Sequence, residues 1–274
     1  MPKQPTTVSS GEFARPRKSL GQNFLQDPNI IRKIADSLVI TPADTVLEIG
    51  PGRGALTEQL LARCTDLHVV EFDRELIAYW QRRAEQLDNL TVHGADILKF
   101  DLSPLLSGSN QPLKVIGNLP YNISSPVLFH LLPFADQIHS QIVMLQKEVV
   151  DRMVAGPGNK QYGRLSVMLQ QRYRIERLFD VPPGAFFPPP KVDSAIVQLT
   201  PLVPQPFPVQ DHAVFEAVVK QAFSQRRKTL RNTLKGTLSA AQIEACGIDP
   251  AVRAETLSVE DFTRLAEAVT KAAG

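Results

Sequence analysis

The sequence predicts an α/β protein, a mostly parallel sheet with helices on both faces, followed by a small all-α domain. Three observations carry this. Short runs rich in Val, Ile and Leu alternate with helix-like stretches between residues 19 and 203, as strands buried on both faces by crossover helices do. Nine of the 22 prolines then fall between Val181 and Pro208. Beyond them Val214, Val218 and Ala222, with Phe215, Val219 and Phe223, recur at i, i+4 spacing and mark an apolar helix face.

The elements follow in order. Residues 1–18 read as a flexible arm, with Pro2, Pro5, Ser9, Ser10 and Gly11 ahead of the basic Arg15-Pro16-Arg17-Lys18. Strands are expected at Thr45–Ile49, Leu67–Phe72, Leu90–His93, Leu113–Ile116, Gln141–Leu145, Leu165–Leu169 and Ala195–Leu199, with helices over Ala55–Arg63 and Arg74–Leu87. Pro201 to Pro208 reads as a linker. The boundary is placed near residue 203, with an α/β domain over 19–203 and a helical domain over 204–274.

Composition removes several classes. A chain of 274 residues with 43% hydrophobic content can bury a core, which argues against global disorder. The two cysteines, Cys64 and Cys246, are far apart and form no C-x-x-C, so neither a disulfide framework nor a cysteine zinc site is expected. The five histidines show no H-E-x-x-H spacing, and no metal is expected. No apolar run approaches ~18 residues, and the polar N-terminus lacks a signal-peptide core. A cytoplasmic protein with no membrane partner, working as a monomer, is the expectation.

The strand Thr45–Ile49 runs into Gly50-Pro51-Gly52-Arg53-Gly54 and then a helix. Glycines let a ligand approach the backbone, and a helix start offers free N–H groups. Glu71, at the end of the second strand, can accept from both hydroxyls of a ribose, and Asp96, after the third, from an adenine amino group. Gly50, Gly52 and Ala55 also satisfy G-x-G-x-x-G/A, so NAD and S-adenosylmethionine both remain open here.

Asn118-Leu119-Pro120-Tyr121, after the fourth strand, decides between them. An exocyclic amino nitrogen on a base is a poor nucleophile because its lone pair is delocalised into the ring. Acceptors for its N–H hydrogens, the Asn118 side-chain oxygen and the Leu119 carbonyl, favour a pyramidal nitrogen and free that lone pair. Pro120 lacks an N–H and fixes φ, which aims the carbonyls. The Tyr121 ring can stack on the base. The sulfonium of S-adenosylmethionine already activates its methyl group, so the chemistry calls for no metal.

This arrangement resembles the adenine-N6 RNA methyltransferases. Lys18-Ser19-Leu20-Gly21-Gln22-Asn23-Phe24-Leu25, Glu48 to Thr57, Gln146-Lys147-Glu148-Val149, Tyr162-Gly163-Arg164-Leu165-Ser166, the F-x-P-x-P-x-V-x-S of Phe186 to Ser194, and Phe223 to Lys228 match the ordered blocks of one family. Residues 13–265 are similar to the small-subunit ribosomal RNA adenine N6,N6-dimethyltransferases. The resemblance implies a Rossmann-like S-adenosylmethionine-dependent methyltransferase that releases S-adenosylhomocysteine. Its substrate would be 16S rRNA within the small (30S) subunit, at two adjacent adenosines of a terminal hairpin loop. It implies cofactor contacts from Asn23, Leu25, Gly50, Glu71, Asp96 and Asn118. Asn118, Leu119, Pro120 and Tyr121 would hold the target amino group, and Phe186 would stack opposite Tyr121.

A net charge of +2 conceals a local asymmetry: Lys220 to Lys235 hold six basic side chains and no acid. On a helix Lys228, Arg231 and Lys235 lie at i, i+3 and i+7, and Arg227 pairs with Arg231, giving one stripe. Arg226, Arg227, Lys228, Arg231 and Lys235 are therefore expected to contact RNA phosphates. Arg15, Arg17 and Lys18 form a second patch. For Arg172, Arg174 and Arg177, placed between two predicted strands, a surface ion network is at least as good a reading as RNA contact.

Overall fold

The computed structural model describes residues 16–17, 20–107 and 113–273. Apart from Pro16 and Arg17, the basic arm 1–18, with Arg15 and Lys18, lies outside the described residues. Among the described residues nine strands are present: β1 (Phe24–Leu25), β2 (Thr45–Ile49), β3 (Asp66–Glu71), β4 (Leu90–Gly94), β5 (Leu113–Asn118), β6 (Ile138–Gln146), β7 (Tyr173–Val181), β8 (Phe186–Phe187) and β9 (Ser194–Pro201). Seven form one sheet in the order β4-β3-β2-β5-β6-β9-β7. β4, β3, β2, β5 and β6 run parallel, and β9 is antiparallel to β6.

The chain winds outward from β2 through β3 to β4, then returns to the other side of β2 as β5. Between β2 and β5 the strand order reverses, and open α/β sheets bind ligands outside the carboxyl ends of the strands at such a point. All five residues of β2 are buried, as a central strand covered on both faces requires. At the opposite end of the sheet Lys114 Nζ lies 2.7 Å from Asp44 and donates to the Val39 carbonyl at 2.6 Å, tying the start of β5 to the entry of β2. The helix Arg74–Ala84 is capped by Asp73 and buries Leu76, Tyr79 and Trp80. A fully buried side chain of this size contributes about 1.5–3 kcal/mol.

Contacts divide the chain into two units, residues 1–150 with 176–201, and residues 151–175 with 202–274. The sequence boundary near 203 leaves 151–175 in the first unit. The structure instead groups this segment with the later helices, because Tyr162 packs edge-on to Phe223, Arg164 pairs with Glu216 at 2.7 Å, and Gly158 N–H donates to the Glu255 carbonyl. Within it, Leu165–Leu169 is not the expected strand but part of a helix, Arg164–Gln170. All five residues are buried, and a short, wholly buried apolar run has no periodicity to distinguish the two states. β7 was not expected as a strand, and it contains Arg174 and Arg177.

The expected basic helix is also different. The helix His212–Ala222 takes in Lys220 but stops before the cluster Arg226–Lys228, and the next, Leu230–Thr233, is one turn long. Arg226, Arg227 and Lys228 lie in the turn between them, so no continuous i, i+3, i+7 stripe exists. Ser224 Oγ bonds back to the Gln221 carbonyl at 2.6 Å, and the polar Ser224–Lys228 run offers nothing to bury.

Candidate active site

A cavity of about 260 Å³ opens at the carboxyl ends of β2, β3 and β5. The glycine turn after β2 forms its floor. Gly50 has φ +69° and nothing within 4 Å of where a Cβ would stand, leaving the backbone bare to a ligand. Gly54 has φ +89°, and a Cβ there would stand 2.7 Å from the Trp80 ring. The glycines thus serve two purposes, approach at one end of the turn and packing at the other.

Glu71 ends β3 with 7% exposure and accepts three backbone N–H bonds, from Gly52 (3.1 Å), Phe72 (2.8 Å) and Asp73 (2.9 Å). Burial raises its carboxyl above the ordinary value, and these donors oppose the rise. A carboxylate has about four acceptor positions, so it can still receive a ribose hydroxyl. Asp96 caps the turn Ile97–Lys99 with one oxygen, on the Leu98 N–H at 3.0 Å, and its side chain borders the cavity.

Glu48, one residue before Ile49, is 2% exposed, and one of its oxygens finds no hydrogen-bond partner among the described residues. An orphaned buried polar atom on a cavity wall fits a site that a polar ligand completes. Burial, with help from the Glu71 and Glu58 charges, pushes its carboxyl up to about 8. The folded protein therefore keeps this proton to about pH 8, whereas an unfolded glutamate releases it near 4.5. Stability is lost as pH rises through that window. In Glu48→Gln the loss disappears, so the variant's stability advantage over wild type should grow by roughly 4 kcal/mol between pH 5 and pH 8 in urea melts of the ligand-free protein. Parallel pH profiles for the two proteins would refute this.

The N-terminal segment closes the near side. β1 pairs antiparallel with β8, Phe24 opposite Phe187 and Leu25 opposite Phe186. Gln22 donates to Asp73 at 2.9 Å, while Arg17 reaches Glu75 at 2.6 Å and Asp73 at 3.6 Å. Arg17, expected as part of a free basic patch, thus spends its charge holding this segment down. Asn23 Nδ2 donates to the Gly21 carbonyl at 3.2 Å, and its own carbonyl accepts from Asn118 Nδ2 at 3.0 Å. With the donor end so engaged, the Asn118 side-chain oxygen is the end left to accept. Leu119, fully buried, donates to the Met144 carbonyl, and the Pro120 carbonyl accepts from Ile123 N–H. The Tyr121 ring lines the cavity, its hydroxyl 2.6 Å from Ser194 Oγ.

Of the residues singled out in the sequence, Asn23, Leu25, Gly50, Glu71, Asp96 and Asn118 to Tyr121 all line this one cavity. Phe186 does not. It is 4% exposed and packs in the core with Leu25, while Phe187 is 49% exposed. Paired residues share a face of a two-stranded ribbon, so Leu25 and Phe186 turn inward together and Phe187 turns out. Arg226 is not a free cation either: it pairs with Glu255 at 3.3 Å and donates to the Lys160 carbonyl. Arg227, Lys228, Arg231 and Lys235 are exposed. Arg177 pairs with Asp180, as the ion-network reading expects, whereas Arg172 is buried, 3.1 Å from the His212 ring. Phe72, a 60% exposed ring, also lines the cavity and was not among the residues expected there. Its place directly after Glu71 was the available signal.

A cavity of this build, at the switch point of a Rossmann-like sheet and walled by an adenine-type Asn-Leu-Pro-Tyr loop, defines an S-adenosylmethionine-dependent nucleic-acid methyltransferase. Comparison with known proteins narrows the class. The family described as Ribosomal RNA adenine dimethylase matches residues 14–271, and the chain belongs to that family. It is 56% identical to the Ribosomal RNA small subunit methyltransferase A of Aromatoleum aromaticum, covering 92% of this chain and 93% of that one. With the protein of the same description from Chromobacterium violaceum the identity is 54%, over 92% and 94%. Among solved structures, a dimethyladenosine transferase from Plasmodium falciparum superposes with TM-score 0.76 at 27% identity, over 90% of this chain and 98% of that one. The 23S rRNA methyltransferase ErmE does so with TM-score 0.67 at 26% identity, over 90% and 100%.

Proposed function

We propose that the protein transfers methyl groups from S-adenosylmethionine to N6 of two adjacent adenosines in the 3′-terminal hairpin loop of 16S rRNA, within the small (30S) ribosomal subunit. The products are N6,N6-dimethyladenosines, and the reaction belongs to ribosome biogenesis in the cytoplasm. The observation that carries this reading is the Asn118 amide on the cavity wall, whose donor end is tied to the Asn23 carbonyl, which leaves its oxygen as the end to accept. The small-subunit descriptions of the most similar relatives support the substrate.

Bound S-adenosylmethionine supplies a methyl group already activated by its sulfonium, and leaves as S-adenosylhomocysteine; no metal is required. Glu71 and Asp96 would hold its ribose and adenine, the bare backbone at Gly50 would admit its chain, and Asn23 and Leu25 would cover it. The Asn118 oxygen and the Leu119 carbonyl accept the N6 hydrogens and turn the nitrogen lone pair toward the methyl group. A base in a helix cannot enter, so the adenosine is unpaired or flipped out and stacked on Tyr121. The resemblance gives the opposite face of the base to Phe186, which is buried; Phe187 is the exposed ring of β8, and neither ring lines the cavity. Arg227, Lys228, Arg231 and Lys235 contact phosphates, while Arg226 braces the turn that presents them. The enzyme works as a monomer.

The likeness to a 23S rRNA methyltransferase supplies the alternative substrate. Purified small and large subunits from cells lacking the enzyme, incubated with methyl-labelled S-adenosylmethionine, separate the two. Label is expected in small-subunit RNA as dimethyladenosine. Label confined to the large subunit, or none in either, would sink the assignment.

A further inference from the structure

We propose that Ser194 is a positioning residue for the methyl-transfer site: its hydroxyl clamps the Tyr121 ring in the plane against which the target base stacks. The inference rests on the reading of the cavity as an adenine methyltransferase site.

The two hydroxyl oxygens are 2.6 Å apart, within the range of a good O–H···O bond. Ser194 is fully buried, and its backbone is locked into the sheet. It opens β9 opposite Gln146 of β6, and Ala195, Ile196 and Val197 continue the register opposite Leu145, Met144 and Val143. The neighbouring Asp193 carbonyl accepts from Lys147 N–H at 3.0 Å. Met144 also lies opposite Asn118 across β5 and β6. The acceptor amide and the anchor of the stacking ring are therefore fixed to three adjacent strands of one sheet.

Tyr121 itself sits in a loop. Its main chain is held by Ser124, whose Oγ donates to the Tyr121 carbonyl at 2.9 Å. That leaves the two side-chain torsions free to swing the ring, and the bond to Ser194 removes this freedom at the far end. Burial raises the Tyr121 phenol above its ordinary value of 10, so it remains a neutral hydrogen-bonding group and not a base. Stacking geometry decides whether the amino nitrogen is presented in line with the methyl group, and small displacements there are costly in rate. A serine whose only task was to satisfy itself would not need to meet a side chain on the cavity wall.

Ser194→Ala and Tyr121→Phe remove the two ends of the same bond. Each is expected to lower the single-turnover rate of methyl transfer to small subunits about five- to tenfold, the size of one lost hydrogen bond. The double variant should be no slower than the slower single one. The KM for subunits and the Kd for S-adenosylhomocysteine should move less than about twofold, since phosphate contacts and the glycine turn set those. Losses that add in the double variant, or that fall on cofactor Kd instead of rate, would overturn the proposal. A readout free of catalysis is fluorine NMR of protein labelled with 3-fluorotyrosine. The chain has four tyrosines, and the Tyr121 signal is the one absent from Tyr121→Phe. It should shift and narrow in Ser194→Ala as the ring is released, and an unchanged signal overturns the clamp. Absence of any methyl transfer by wild type would instead count against the proposed function, with the fluorine signal still reporting on the ring.

Discussion

Asn118→Ala is expected to lower kcat for dimethyladenosine formation about 10²–10³-fold, the usual loss when one preorganised electrostatic contact to a transition state is removed. The side chain does two jobs at once. Its nitrogen donates to the Asn23 carbonyl at 3.0 Å, and that bond leaves its oxygen as the end to accept. Removing it deletes an acceptor that matters only once the N6 nitrogen pyramidalises, so the loss falls on kcat. It also strips the Asn23 carbonyl of its donor, which loosens the segment proposed to cover the cofactor, and the KM for S-adenosylmethionine should rise by a smaller factor. Asn118→Asp separates the two effects. An aspartate accepts but cannot donate to a carbonyl, so it keeps an acceptor near the amine while repelling Asn23. Its defect should therefore weigh more on cofactor KM than that of the alanine variant. Labelled methyl transfer to undermethylated small subunits measures both, and full activity in Asn118→Ala would remove the acceptor mechanism.

The parts of this site that depend on sequence-local chemistry were readable from the chain. A glycine-rich turn between a buried strand and a helix, an acid at the end of the next strand and an Asn-Leu-Pro-Tyr loop each announce themselves within a few residues, and their assembly follows from the switch point of the sheet. What was not readable depends on pairing. Phe186 matches a motif, but its direction is set by the register with Leu25, 161 positions away in the chain, and a one-residue offset in a strand turns a side chain to the other face. The same limit hid the Tyr121–Ser194 contact, which joins residues 73 apart. Leu165–Leu169 failed for a different reason, since a helix buried all round leaves no polar face to reveal its period. The basic run misled because charge spacing was read on an assumed helix. At the start of the turn Ser224–Lys228 the Ser224 hydroxyl bonds back to the Gln221 carbonyl, and such a bond is invisible to a count of charges.

Gly54→Ala is expected to lower stability by roughly 3 kcal/mol, combining about 1–2 for a left-handed non-glycine residue with about 1–3 for overpacking. The new Cβ would stand 2.7 Å from the Trp80 ring. That ring has nowhere to go: it is fully buried, its Nε1 donates to the Gly52 carbonyl at 2.9 Å, and Tyr79 meets it edge-on with centroids 5.0 Å apart. At about 2–4 °C per kcal/mol for a chain of this size, Tm should fall by roughly 10 °C. Gly50→Ala is the informative contrast. Its φ of +69° carries the same backbone strain, but among the described residues nothing beyond its two chain neighbours lies within 4 Å of the added methyl. Its stability cost should be near 1–2 kcal/mol, while its methyl stands on the cavity floor and should weaken S-adenosylhomocysteine at least tenfold. Trp80 is the sole tryptophan, so its fluorescence follows both unfolding and any shift of the turn. If the two variants melt alike, the close approach of Trp80 is not what makes Gly54 a glycine. If Gly50→Ala keeps full affinity, the bare backbone at Gly50 is not where the cofactor lies.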